Sequence, residues 1–412
     1  MKKLSKITLA KAYDVLMKHS CLFSIPLLLL SVACANKPSS VSENDIVELN
    51  LSDFTDRKFM MSDLMDSIAI IELSPDYPFM GIVTQITPDR MIVEEYRRRG
   101  EFLYYDHEGN IIGKIGKIGQ GPDEYMRNSA YVAAGTTLCL WDNVRNGAAV
   151  YSTIATKRGL RLKYYNPDGS YRGSMQLQHP YLEKVGDYPA MSFDNGYYYF
   201  SQFPSDMNEG SAVLCFDKNG RLVFEIPNQS DRMIYTNSRE NPTNHYRDHL
   251  LMWGCSDTIY DVRGGTYKAT YTWFLDESMR RSRPIKPGAI ESDELRPNIV
   301  LDTKEWLIIE AAFSFPIKHK YYFYNKSERC LYGDEPPYND LGYFDMSSIP
   351  FDGYYYDEAK DEEWLYVTAK VSDWLVDAWE KYDHPKGYEL MKRYNITEDS
   401  NPILIKVRLK KS

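Results

Sequence analysis

The sequence predicts an all-β fold, a six-bladed β-propeller, and three observations carry that expectation. A hairpin pattern recurs along the chain, each copy follows another strand pair, and aromatic residues gather in short runs. The hairpin reads apolar strand, aromatic residue, Asp or Asn, two loop residues, Gly, then a second strand. Full copies stand at 102–116 (FLYYDHEGNIIGKIG), 162–177 (LKYYNPDGSYRGSMQL) and 212–226 (AVLCFDKNGRLVFEI). Weaker ones are TIYDVRGGTYKATYTW at 258–273 and YYFYNKSERCLYG at 321–333, the last without the glycine. Asx and Gly supply the turn, the glycine taking positive φ at low cost. Strand pairs precede the hairpins at 81–96, 131–142, 191–203 and 306–315. Four short strands recurring about every 50–60 residues are the mark of propeller blades, which a sandwich does not reproduce. The 34 tyrosines, in runs such as 197–199 and 354–356, favour strands over helices.

The two ends of the chain complete each other. A final unit holds EEWLYVTAK at 362–370 and NPILIKVRLK at 401–410 but lacks a fourth strand, while DSIAIIELSP at 66–75 is left over. Pairing them closes the ring with the N-terminal strand and removes open sheet edges. Inside that unit, VSDWLVDAWEKY at 371–382 places Trp374, Ala378 and Tyr382 on one helical face behind a Ser372 cap, and GYELMKRYN extends it. This predicts a small helical insertion in the last blade, covering one mouth of the propeller.

Ahead of the repeats lies an export signal. Residues 22–34 (LFSIPLLLLSVAC) are apolar but too short for a helix across a bilayer about 30 Å thick. They end in Ser31, Val32, Ala33 and Cys34, which resembles the lipobox of bacterial lipoproteins, with Ser31 where leucine is usual. Cys34 is the expected lipidation site. Met17, Lys18 and His19 form a short basic start, so translation is expected to begin at Met17. The domain reading is therefore a signal peptide at 1–33, a flexible polar tether at 34–45, and the propeller at 46–412.

Charge excludes one class of partner. The formal net charge is -9, and removing residues 1–33 leaves 44 basic against 57 acidic residues, a net of -13. Nucleic acid is not an expected partner, because binding it requires a basic surface. Six cysteines without CxxC spacing argue against a zinc site and read as buried free thiols. His245 and His249 flank Asp248, yet the segment lacks the HExxH glutamate and reads as a polar loop. No metal, no cofactor and no nucleophile motif is expected.

The segment KIGKIGQGPDEY at 114–125 and the closing EDSNPILIKVRLK at 398–410 resemble the six-bladed β-propeller lipoproteins of Bacteroidota, relatives of NHL-type propellers. The resemblance implies a lipid-anchored cell-envelope protein, at the outer membrane, that accompanies nutrient uptake. Read physically, Gly119, Gly121 and Pro122 make a sharp exit from an outer strand to the next blade. A propeller supports binding and several chemistries. A binding module for a glycan or an envelope protein is favoured; the alternative is a hydrolase or lactonase with a metal ion in its channel.

Strand order predicts the binding face. In a four-stranded blade, the loop between strands two and three opens on the side of the link to the next blade, opposite the Asx-Gly turns. That side gathers Arg97, Arg98 and Arg99, then Tyr125 and Arg127, then Asn143 and Arg145, with Lys318 and Trp374. Arginines pair with carboxylates or sulfates, and rings stack on sugars, so the expected ligand is anionic.

Overall fold

The computed structural model describes residues 46–74, 81–87, 89–95, 101–119, 121–125, 131–134, 137–145, 158–177, 190–201, 211–227, 243–246, 249–252, 257–274, 295–314, 317–333, 335–338, 340–341, 353–369, 385–397, 400 and 403–410. Before the repeats come β1 (Val47–Leu49), the helical turn α1 (Met61–Leu64) and β2 (Met65–Glu72). The first repeat gives β3 (Gly81–Thr87), β4 (Arg90–Glu95), β5 (Glu101–Tyr105) and β6 (Ile111–Ile115). The second gives β7 (Tyr131–Ala134), β8 (Thr137–Arg145), β9 (Arg158–Tyr165) and β10 (Tyr171–Leu177). The third gives β11 (Ala190–Asp194), β12 (Tyr197–Ser201), β13 (Ser211–Asp217) and β14 (Leu222–Pro227). Then follow β15 (Thr243–Tyr246), β16 (His249–Met252), β17 (Thr258–Arg263) and β18 (Thr266–Trp273). The fifth repeat gives β19 (Leu295–Asp302), β20 (Trp306–Ser314), β21 (Ile317–Asn325) and β22 (Cys330–Gly333). Last come β23 (Gly353–Asp357), β24 (Glu362–Ala369), the helix α2 (Pro385–Arg393) and β25 (Ile403–Leu409).

Each repeat is a separate antiparallel sheet whose strands pair in sequence order, and the arrangement is that of a β-propeller. Five sheets have four strands; the sheet of β15–β18 has five, because β1 runs parallel along β18. The first strand of each repeat is innermost. β23 neighbours β3, β3 neighbours β7, β7 neighbours β11, and β15 neighbours β19. β2 completes the last blade as its outermost strand, with Ile68 opposite Val407 and Ile70 opposite Ile405. The leftover N-terminal strand and the unit short of one strand do meet.

The N-terminal segment covers more than the sequence suggested. Its β1 edges β18, Thr55 exchanges backbone hydrogen bonds with Leu331 and Gly333 on β22, and Met61 N donates to Tyr338 O at 2.9 Å before β2 joins β25. One strap thus covers the outer edges of three consecutive sheets, where unpaired N–H and C=O groups would recruit other chains. Phe59 fixes its middle, stacked on Phe323 with ring centroids 3.9 Å apart. The core lies between neighbouring sheets, in clusters such as Leu162, Phe200 and Phe216, or Val213, Cys215 and Tyr260.

Candidate functional site

The two ends of the blades differ in construction. One end carries tight turns between first and second and between third and fourth strands. In the Asp217–Arg221 turn, backbone N–H groups of Arg221 and Asn219 donate to the Asp217 carboxylate at 2.9 and 2.8 Å, holding its carboxyl below the usual range. These turns also join neighbouring blades. Gly116 N donates to Gly169 O, Gly264 N to an Asp194 carboxylate oxygen, and Gly265 N to the Tyr199 hydroxyl, at 2.8–2.9 Å. In the fifth repeat, where the glycine is missing, Arg329 itself takes φ 54°.

Of the predicted binding residues, Asn143, Arg145 and Lys318 are described and fall at the opposite end. Asn143 and Arg145 lie on β8 opposite Leu160 and Arg158, at the end from which 146–157 leads to β9. Lys318 lies on β21 opposite Phe313, beside the link from β20 to β21. Arg97, Arg98 and Arg99, between β4 and β5, fall outside the described residues, as do Arg127, Trp374 and Cys34.

Tyr125 is a correction. Expected at the mouth, its ring is fully buried. It packs between Phe102 and Tyr165, each 5.8 Å away by ring centroids, and its hydroxyl accepts a hydrogen bond from Phe102 N at 3.3 Å. Burial pushes its phenol well above the ordinary tyrosine range. The distinctive GQGPDEY segment is the joint between two blades. Gly119 N donates to Tyr125 O at 2.9 Å and Gly121 N to the Glu124 carboxylate at 2.9 Å. Gly119 leaves the room that carboxylate fills, since a Cβ there would meet Glu124 Oε2 at 1.9 Å. From the next blade, buried Lys163 donates to Glu124 O and Tyr165 donates to Asp123 O at 3.1 Å. An aromatic at the end of a glycine-rich exit is a core anchor here because two flanking sheets close over it.

His245 and His249 sit neither on a helix nor in a polar loop: they lie on the paired strands β15 and β16, and His249 faces Tyr246. Among the described residues no group of three His, Cys, Asp or Glu side chains converges as a metal site, and no helix is long and apolar enough to cross a membrane. Cys215 is a buried free thiol and Cys330 a half-buried one. Of the expected helical insertion, 371–384 lies outside the described residues, and the continuation folds as α2, which packs Leu390 and Met391 into the core.

Fold and joints together define a β-propeller protein. The chain belongs to the family described as Domain of unknown function (DUF4934), which matches residues 46–408. Among solved structures it is similar to a putative exported protein (BF0058) from Bacteroides fragilis NCTC 9343, with 14% identity and a TM-score of 0.59, covering 89% of this chain and 100% of that one. It is also similar to a DUF4221 family member from Bacteroides vulgatus ATCC 8482, at 10% identity and TM-score 0.43, covering 84% and 97%. At 14% identity the likeness to the Bacteroides fragilis protein is one of fold. No curated protein matches.

Proposed function

We propose that the chain is a six-bladed propeller lipoprotein of the cell envelope, the five-stranded sheet counting as a blade. In this reading it is akin to NHL-type propellers, held at the outer membrane by a diacylglycerol on Cys34. Its task is to bind an anionic ligand, an acidic glycan or the acidic surface of an envelope protein partner, on the end opposite the tight turns. The supporting observation is the asymmetry between the two ends. The turn end is short and cross-bonded between blades, whereas connections at the other end run from Leu177 to Ala190, Pro227 to Thr243, Trp273 to Leu295 and Gly333 to Gly353. Long connections on a rigid frame are where recognition residues concentrate. Arg97 and Arg98 lie in the β4–β5 connection and Arg145 opens the connection 146–157, both at that same end, in a chain of net charge -9.

The test is triple charge reversal at these arginines, read on a glycan array and by pull-down from envelope extract. Binding that weakens with the substitutions and with salt, at unchanged melting temperature, supports the reading. A ligand indifferent to all three changes refutes it. Labelled palmitate tests the anchor separately: Cys34→Ala should abolish incorporation and release the protein from membranes.

A further inference from the structure

We draw no further inference here: the strongest candidate, the small cavity at the turn end where α1 meets the fifth and last blades, lined by Asp63, Glu305 and Glu363, is an acidic cluster in which Asp63 and Glu363 already accept hydrogen bonds from Met60 N and the Tyr354 hydroxyl, and no second observation there points to a ligand.

Discussion

Gly169 lies so close to Lys114 that a Cβ on it would stand 2.2 Å from the Lys114 carbonyl oxygen. The glycine of the repeated hairpin thus has two duties, a left-handed φ of +81° and contact with the outermost strand of the preceding blade. Gly109 does the same against Glu72 O on β2, at 2.1 Å. Gly196 separates the two effects, with φ +87° and nothing within 4 Å. Gly169→Ala and Gly109→Ala should each cost about 2–4 kcal/mol, and Gly196→Ala only about 1 kcal/mol. Urea denaturation of the three variants checks this; equal losses would show that the blade contact contributes nothing.

Closure by β2 makes a second prediction. Deleting residues 66–72 strips the last blade of its outer strand and removes Ile70, which is 5% exposed, from the core. The exposed β25 edge should drive aggregation or loss of fold. Size-exclusion chromatography and thermal melting decide it, and a soluble deletion variant with a cooperative melt contradicts closure through this strand.

Tyr125 should behave as a joint. Tyr125→Phe removes the hydroxyl that accepts from Phe102 N and should cost about 1 kcal/mol, while Tyr125→Ala should cost about 3–5 kcal/mol. Neither change should alter affinity for any ligand of the opposite end beyond the stability loss. A selective loss of binding in Tyr125→Phe at full stability would return the residue to the site.

Local chemistry explains what the sequence made legible. Asp106, Gly109, Asn166 and Gly169 announce their hairpins because the turn needs those residue types within five positions. β2 was found by counting, since a ring admits no spare strand. β1 and the Thr55 contact were not, because a parallel addition through backbone groups imposes no side-chain pattern. Tyr125 was misread because its polar neighbours, Asp123 and Glu124, suggest a surface loop, whereas its own ring is claimed by two sheets. The face of β25 that carries Lys406 and Arg408 was passed over for the opposite reason. ILIKVRL alternates as a strand with a wet face, and only the ring geometry turns that face toward another blade.

Alkaline pH supplies the last prediction. Burial pushes the Cys215 thiol up to about 12 from an ordinary value of 9.0. It also raises the phenols of Tyr125, Tyr199, Tyr271 and Tyr366 well above their usual 10.0. In the unfolded chain these groups release protons near pH 9 to 10, while the folded chain keeps them. The unfolded state then binds fewer protons, so the free energy of unfolding falls as pH rises. The stabilisation is fully present below pH 9 and is lost on the way through about 12, with each group contributing a slope of up to about 1.4 kcal/mol per pH unit once its unfolded form has ionised. Urea midpoints at pH 8, 9.5 and 10.5 should decline steadily. Cys215→Val should flatten the first part of that decline, because the thiol has the lowest unfolded value of the set. A midpoint constant to pH 10.5 would mean that these groups are as accessible to water in the folded chain as in the unfolded one.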